Sequence, residues 1–161
     1  MARRRPAGKV VVEQARDIAA LAALVEEAGL DAGRIARTGA LVLIAWLDDE
    51  SVGVAELTSR VDAALMRSLW VTPAMRRRGI GAALMAAARK AARIRGARRL
   101  YALGAADGES LRRFGFASAD NNIESGDESW LRAIEFETEL LAGDPPALWI
   151  LDISSDGIID R

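Results

Sequence analysis

The sequence predicts one α/β or α+β domain in which a mixed sheet is flanked by helices. Nearly all-apolar runs, such as 40–47, are typical of strands that are covered on both faces. From Gly79 an alanine-rich segment repeats apolar residues at helical spacing, and it stands between the strands predicted at 63–71 and 98–103. A strand, a helix and a strand in this order favour a parallel pair, so we expect one parallel connection in the sheet.

The composition limits both the size of the protein and its chemistry. At 161 residues, the chain accommodates one domain with a sizeable core rather than two. Its net charge of −1 gives no global field that would attract nucleic acid or a membrane. The chain has no cysteine and no histidine, which removes thiolate nucleophiles, the commonest general base and the usual metal ligands. We therefore expect no metal, and chemistry carried by carboxylates, hydroxyls, lysine, backbone groups or water.

Both ends of the chain are predicted to lie outside the domain. Residues 1–8 form a basic tail, 9–153 the single domain and 154–161 a C-terminal tail. No apolar run reaches the ~18 residues that span a bilayer, and residues 1–6 lack the apolar segment of a signal peptide. We expect a cytoplasmic protein that binds no membrane and no nucleic acid, as a monomer or a homodimer.

The first half of the domain alternates strands with polar segments. The predicted elements are a strand at 9–14, a helix between Asp17 and Gly29, a loop at 31–39 with room for one helical turn, and a hairpin of strands at 40–47 and 52–58. Asp17 is suited to cap the helix and Gly29 to end it. The segment 31–39 is polar and contains glycine, so we expect Arg34 and Arg37 within it to be solvated.

The second half carries the strand–helix–strand unit and ends in a longer helix and a strand. The predicted elements are a strand at 63–71, a helix from Gly79 to Gly96, a strand at 98–103, a loop at 104–108, helices at 109–113 and 128–141, a short strand from Ala117, and a strand at 147–153. Asp127 is suited to cap the helix at 128–141. The glycine and prolines at 143–146 are expected to end it.

The turn before the helix from Gly79 is the most unusual stretch of the sequence. Pro73 ends the preceding strand, because proline has no N–H to donate. Arginines at 76–78 then stand at a helix N-terminus, where each cation is disfavoured by about 0.3–1 kcal/mol. Gly79 and Gly81 each cost the helix roughly 1 kcal/mol relative to alanine. An anion at the helix N-terminus would explain both costs, so the turn predicts a phosphate-binding site.

Other phosphate-binding motifs fit this turn less well. No Gly-Lys-Ser/Thr follows, which excludes a Walker loop. The spacing Gly79-x-Gly81-x-x-Leu84 departs from the dinucleotide fingerprint at the third glycine and lies in the middle of the chain. An ordinary exposed helix start is the structural alternative.

The order of the elements and the motif Arg76-x-x-Gly79-x-Gly81 resemble the GCN5-related N-acetyltransferase (GNAT) superfamily. The resemblance is strong over 52–117, weaker over 9–46, and fades beyond residue 120. It implies a mixed, largely antiparallel sheet that splays at a central parallel pair. Within the superfamily, the segment 65–71 resembles the small acetyltransferases found in arsenic-resistance operons.

In that superfamily the motif binds the pyrophosphate of acetyl-CoA, which the resemblance implies as the cosubstrate here. Backbone groups of Leu69 and Val71 would pair with the pantetheine arm like an added strand. The N–H groups of residues 77–82 would bind the pyrophosphate, and arginine side chains would supply charge. The sheet would splay beyond Val71, with the thioester between the strands that end at Val71 and Leu103. The implied binding residues are Leu69, Trp70, Val71, Arg76, Arg77, Arg78, Gly79, Ile80, Gly81 and Ala82.

The reaction implied by the resemblance is direct attack of an amine on the thioester in a ternary complex. An acetyl-enzyme on sulfur is excluded, since the chain has no cysteine. The Val71 N–H would stabilise the oxyanion. Glu56 lies in the middle of a strand, where carboxylates are disfavoured. It is either the general base or a sheet-face carboxylate paired with Arg67 or another cation.

The general acid is the point where the chain departs from the superfamily. The tyrosine that often precedes Gly-Phe and protonates the thiolate is replaced here by Leu111. Ser110 or a water molecule would serve instead. Tyr101, the only tyrosine, is expected to be a core residue.

Two functions are therefore open. One is an N-acetyltransferase that acts on a small-molecule or amino-acid-like amine, with an acceptor pocket formed by 31–37, Glu56 and 130–139. The alternative is a catalytically weak acetyl-CoA-binding sensor or interaction module, which the missing tyrosine favours. A thiolate is a fair leaving group near neutral pH, which supports the enzyme. No feature of the sequence indicates a protein N-terminus or a protein lysine as the acceptor.

Overall fold

A seven-stranded sheet forms the centre of the protein, for which a computed structural model describes residues 8–104, 109–120, 123–139 (backbone alone for 134–139) and 147–155. The strands are β1 (Val10–Gln14), β2 (Leu41–Leu47), β3 (Glu50–Arg60), β4 (Ala63–Val71), β5 (Arg99–Gly104), β6 (Ala117–Ser118) and β7 (Ala147–Asp152). The helices are α1 (Ala22–Glu27), α2 (Ala32–Thr38), α3 (Ile80–Ile94), α4 (Glu109–Arg113) and α5 (Glu128–Glu139). Within these described ranges, no helix has the length and apolarity that crossing a membrane requires.

The strand order is β1-β2-β3-β4-β5-β7-β6, and the pairing is antiparallel except between β4 and β5. The predicted mixed sheet with one parallel pair is confirmed. The parallel ladder joins only four residue pairs, between 63–66 and 99–102. The expectation that the sheet splays beyond Val71 is therefore wrong, because the strands separate after Met66. Arg67 is an extra residue opposite β3, and such a bulge bends β4, while the end of β5 continues to pair with β7.

Helices cover both faces of the sheet, which explains the all-apolar composition of β2. Leu43 and Ala45 are buried in the cluster under α3, whereas Val42 and Ile44 are buried with residues of α1 and α2. Alternate residues of a strand point to opposite faces, so these clusters lie on opposite sides of β2. The buried residues of α3 are Ile80, Leu84, Met85, Ala88 and Ala92.

Gly53 of β3 allows the first turns of α3 to lie close to the sheet. A Cβ added at Gly53 would stand 2.9 Å from Leu84 Cδ1 and 3.1 Å from the Trp70 carbonyl oxygen. Contacts this short do not accommodate a side chain at this position. The absence of a side chain at residue 53 therefore helps to place the N-terminus of α3 beside the end of β4.

The main difference from the sequence prediction is α2, which forms where a loop was expected. Asp31 caps it by accepting the Arg34 N–H at 3.0 Å, and Gly39 ends it in the left-handed region at φ 65°. Ile35 is the one buried residue of this helix, so the sequence shows no apolar stripe. Arg37 is exposed as expected, whereas the side chain of Arg34 is only 15% exposed.

The remaining elements lie close to their predicted positions. The helix after Asp17 is divided into a 3-10 turn, Ala19–Leu21, and α1, and Asp17 Oδ1 accepts the Ala20 N–H at 3.3 Å. The final strand β7 is inside the sheet, between β5 and β6. Several predicted features lie wholly or mostly outside the described residues: the loop at 104–108, the helix end at 140–141, the break at 143–146 and the tails 1–8 and 154–161.

A buried polar network joins β5 to the β3–β4 turn and to the start of α5. The Tyr101 side chain is fully buried, and its hydroxyl donates to Asp127 Oδ2 at 2.8 Å. Arg99 donates to the same oxygen at 3.0 Å and to Asp62 Oδ1 at 2.8 Å. Burial, followed by the bond to Asp127, raises the pKa of Tyr101 to about 12. Tyr101 is therefore a core residue, as expected, and Asp127 uses its side chain in this network.

Gly53→Ala is expected to lower the free energy of unfolding by about 1–3 kcal/mol, because the new methyl group would crowd Leu84 and the Trp70 carbonyl oxygen. The carbonyl belongs to the backbone and cannot move aside by a change of rotamer. Denaturant unfolding measures the loss. Gly126→Ala is the matched control, because nothing lies within 4 Å of the added Cβ, and its effect is expected to stay within about 0.5 kcal/mol. Equal stabilities of the two variants would contradict the close packing of α3 on β3.

Tyr101 is the only tyrosine, so its ionisation is visible in the near-ultraviolet absorbance of the whole protein. The native protein is expected to titrate at a pKa of about 12, against an ordinary value of 10.0. Because the folded-state pKa is the higher one, this stabilisation is complete below the unfolded-state pKa and is lost as the pH rises through the folded-state pKa. In denaturant the midpoint is expected to return to about 10. A native midpoint near 10 with an intact circular dichroism spectrum would show that the hydroxyl is not buried.

Candidate active site

The end of β4 presents backbone groups to an open gap in the sheet. The Thr72 N–H donates to the Val52 carbonyl at 2.8 Å, which fixes the phase of the antiparallel ladder with β3. By the alternation of that ladder, Ser68 and Trp70 direct their backbone groups toward β3. Leu69 and Val71 direct theirs toward the side of β5, where the parallel pairing has ended. This is the edge to which an extended ligand would add.

The turn between β4 and α3 is compact and holds two residues in the left-handed region. Arg77 has φ 64° and Gly79 has φ 79°, and glycine alone adopts this region without strain. The Arg76 Nε donates to the Val71 carbonyl at 3.0 Å, which ties the turn back to the strand end. No side chain caps α3, whose first helical turn closes with the Ala83 N–H donating to the Gly79 carbonyl at 3.1 Å. The N–H groups of residues 79–82 have no intrahelical acceptor, so they are available to a ligand at the positive end of the helix.

A groove of about 440 Å³ joins the strand end, the turn and the start of α3. The predicted residues that line it are Leu69, Val71, Arg76, Arg77, Gly79, Ile80, Gly81, Ala82 and Ser110. Two further predicted binding residues, Trp70 and Arg78, are not part of the lining. The Trp70 side chain packs on the opposite face of the sheet, in the cluster under α1 and α2.

Three residues that the sequence interpretation missed also line the groove: Met75, Arg113 and Phe114. Two of them belong to α4 and its end, where Ser110, Arg113 and Phe114 follow the spacing i, i+3, i+4 and therefore share one helix face. That spacing is visible in the sequence and, once Ser110 was a candidate, could have identified the other two.

Leu111 lies on the other side of α4 and belongs to the core. It is 8% exposed, and a Cβ added at Gly104 would stand 2.6 Å from its Cδ1. A residue that packs in the core therefore occupies the position at which the superfamily often carries a tyrosine that acts as general acid. Ser110, its neighbour, is the hydroxyl that α4 presents to the groove.

Glu56 is fully buried and bound at both carboxylate oxygens by one guanidinium group. Arg34 Nη1 contacts Oε1, and Arg34 Nη2 donates to Oε2 at 2.9 Å. The sequence predicted that Glu56 would pair with Arg67 or another cation. Its partner is Arg34, which α2 holds over β3. Glu56 lies on the sheet face of Val54, under α1 and α2, and is not among the residues that line the groove.

The cap of α2 is itself electrostatically favourable. The Arg34 backbone N–H, through its hydrogen bond, is the main cause that lowers the pKa of Asp31, with smaller contributions from the Gly33 N–H and the charges of Arg37 and Arg34. Asp31 is therefore ionised at neutral pH at the positive end of α2. This cap helps to set the direction from which Arg34 reaches Glu56.

Solved structures of acetyltransferases share this fold. N-acetylglutamate synthase from Neisseria gonorrhoeae, complexed with coenzyme A and N-acetyl-glutamate, gives a TM-score of 0.70 at 23% identity, covering 92% of this chain and 36% of that chain. Rv2747 from Mycobacterium tuberculosis, in complex with CoA and NLQ, gives 0.69 at 20% identity, covering 88% of this chain and 98% of that chain. YhbS from Escherichia coli, a GNAT family N-acetyltransferase in complex with CoA, gives 0.67 at 18% identity, covering 97% and 88%. The chain spans little more than a third of the gonococcal synthase.

Sequence comparison identifies the family. No curated protein matches the chain. The model of the Acetyltransferase (GNAT) family matches residues 13–116, which include the hairpin, the arginine-glycine turn and α4. Since this match covers more than half of the sequence and the fold agrees with it, the chain belongs to the Acetyltransferase (GNAT) family, a family of acetyl-CoA-dependent acyltransferases.

Proposed function

We propose that the protein is an N-acetyltransferase that transfers the acetyl group of acetyl-CoA to the amine of a small molecule, by direct attack within a ternary complex. The observation that carries this proposal is the groove in which the open end of β4, the arginine-glycine turn and the N-terminus of α3 meet. These elements supply backbone partners for an extended arm, positive charge, and free N–H groups for a diphosphate.

The cofactor contacts proposed here follow from the direction of each group. Leu69 would pair with the pantetheine arm through its N–H and carbonyl, and Val71 through its carbonyl, because these groups face the gap. The Val71 N–H is then left for the thioester. The N–H groups of residues 79–82 would bind the pyrophosphate, with Arg77 and Arg113 supplying charge from the walls of the groove. Arg76 would act mainly by holding the turn against the Val71 carbonyl.

Acetyl transfer needs an oxyanion donor, a base and an acid, and the proposal assigns each to a residue. The Val71 N–H faces the gap in which the thioester carbonyl would lie. Glu56 would take the proton of the amine, whose nitrogen then attacks the carbonyl carbon as the C–S bond breaks. Ser110, or a water molecule beside it, would protonate the departing thiolate and regain its proton from solvent.

Two of the similar structures support a small acceptor. The structures of the gonococcal synthase and of Rv2747 contain N-acetyl-glutamate and NLQ, respectively, together with CoA. The comparisons do not support the finer resemblance to acetyltransferases of arsenic-resistance operons.

A second candidate function is an acetyl-CoA-binding module with little catalytic activity. The observation in its favour is the burial of Leu111, which leaves the groove without the usual tyrosine. Binding of acetyl-CoA would be common to both functions. Transfer to an acceptor distinguishes them.

Release of free thiol from acetyl-CoA across a panel of small amines tests the proposed activity. We expect thiol release that depends on the acceptor. Double-reciprocal plots of the initial rate, with both substrates varied, are expected to give intersecting lines, because both substrates must be bound before the acetyl group moves. Parallel lines with isotope exchange in the absence of acceptor would indicate a ping-pong reaction and contradict direct transfer. Binding of acetyl-CoA without thiol release for any amine would favour the binding module.

Gly81→Asp is expected to change stability and cofactor affinity in opposite directions. Gly81 lines the groove and no atom lies within 4 Å of an added Cβ, so the new carboxylate would project into the space proposed for the diphosphate. A carboxylate in the first turn of a helix raises the free energy of unfolding by about 0.3–1 kcal/mol. Repulsion between this carboxylate and the diphosphate is expected to weaken acetyl-CoA binding roughly tenfold or more in calorimetry.

Ala86→Asp is the matched control for this substitution. Ala86 is exposed on the same helix and does not line the groove. The control is expected to lose about 0.5–0.7 kcal/mol of stability and to bind acetyl-CoA as the wild type does. Unchanged affinity in Gly81→Asp would place the diphosphate elsewhere.

A further inference from the structure

The ion pair between Arg34 and Glu56 lies one strand away from the gap in the sheet. Across β3 and β4, Glu56 stands opposite Ser68, which directly follows the bulge at Arg67. This is also where β4 has lost its β5 partner. On the same face, the Trp70 side chain packs against the cluster that contains Val54. The ion pair therefore lies beside the end of β4, on the face of the sheet opposite to α3.

The ion pair blocks the access of an acceptor to Glu56. The Glu56 side chain is 0% exposed and the Arg34 side chain 15%, and the Arg34 guanidinium occupies both Glu56 oxygens. An amine reaches this carboxylate only when Arg34 releases it. The proposed base is thus covered by a residue on a separate helix.

Release of such a pair is costly unless both charges find new partners. Removing one partner leaves the other charge buried and uncompensated. A ligand with a single charge satisfies one side of the pair only. A zwitterion supplies a carboxylate for Arg34 and an ammonium group for Glu56, so that neither charge is left alone. The planar guanidinium would bind the ligand carboxylate with the same two-pronged geometry that it uses for Glu56.

The helix that carries Arg34 is suited to this exchange. α2 has seven residues and a single buried one, Ile35, next to Arg34. Little apolar surface therefore resists a small shift of the helix. A ligand carboxylate would approach from the side on which the Arg34 side chain is exposed.

We propose that the acceptor is a zwitterionic amino acid, whose carboxylate takes the place of Glu56 on Arg34 and so frees Glu56 to accept a proton from the ammonium group. This inference rests on the proposed acetyl transfer and names its acceptor class. The ammonium N–H passes its proton to a Glu56 oxygen, and the nitrogen lone pair forms the bond to the acetyl carbon. As the C–S bond breaks, the nitrogen loses its second proton to water, and the thiolate takes up a proton from Ser110 or a water molecule in the groove. Glu56 returns its proton to solvent and re-forms its pair with Arg34 when the N-acetyl amino acid leaves.

The test compares amino acids with their amides, which keep the amine and lack the carboxylate. For the accepted amino acid, kcat/KM in thiol release is expected to exceed that of its amide by roughly 100-fold or more, because the amide leaves Arg34 without an anion. Arg34→Gln is expected to bring this ratio close to unity by loss of activity on the amino acid. Arg95→Gln removes the same charge from an exposed position outside the proposed site, and it is expected to leave the ratio unchanged.

Stability controls keep the test decisive, since Arg34→Gln leaves Glu56 buried without its cation. Arg34→Lys retains the charge and is expected to fold and to keep part of the preference for the acid. The double variant R34Q/E56Q removes both charges, and it is expected to unfold at a higher temperature than Arg34→Gln while acetylating neither member of the pair efficiently. A merely structural role of Arg34 would lower activity on acid and amide alike and leave their ratio unchanged.

The outcomes separate this inference from the activity on which it rests. Equal use of amino acids and amides, or a wild-type ratio in Arg34→Gln, would overturn the exchange and leave the acetyltransferase standing. Binding of acetyl-CoA in calorimetry without transfer to either panel would overturn the exchange and favour the binding module. Absence of acetyl-CoA binding would refute the proposed function itself.

Discussion

β4 stops pairing with β5 after Met66, and the candidate site depends on this interruption of the sheet. Two pairings and a bulge produce it: β4 stays with β3, β5 continues with β7, and the bulge at Arg67 bends β4. The backbone groups of Leu69 and Val71 therefore have no neighbouring strand on that side. Edge groups of this kind are ordinarily a liability, because they attract other strands. Here they border a groove whose other walls are a helix N-terminus and α4.

The gap also connects two surfaces with different chemistry. On the α3 side, the arginine-glycine turn and free N–H groups suit a polyanion. On the opposite side, a buried carboxylate and its arginine lie among apolar residues of α1 and α2. A thioester in the gap would be reached from the first side by the cofactor and from the second by the acceptor. Such separation lets the residues for the donor and for the acceptor vary independently.

Close packing is what brings the groove walls into position. The first turns of α3 reach the sheet because residue 53 is glycine, and α4 reaches the end of β5 because residue 104 is glycine. The contact of Gly53 with Leu84 joins segments far apart in the chain, whereas that of Gly104 with Leu111 is local. Leu111 shows the consequence for chemistry, since a residue at a position of catalytic interest is used for packing and the neighbouring Ser110 lines the groove.

The sequence by itself determined the strand order around the turn and the single parallel pair, and it predicted a phosphate-binding character for residues 76–81. These depend on local patterns: apolar runs, helical spacing, proline and glycine. Only the tertiary structure decided that α2 forms over a predicted loop and that its Arg34 binds Glu56. A helix with one buried residue leaves no periodic signal, and an ion pair between residues 22 positions apart depends on how helices pack on the sheet. The proposed donor site therefore draws mostly on one continuous segment of the sequence, whereas the proposed acceptor site exists only after distant segments meet.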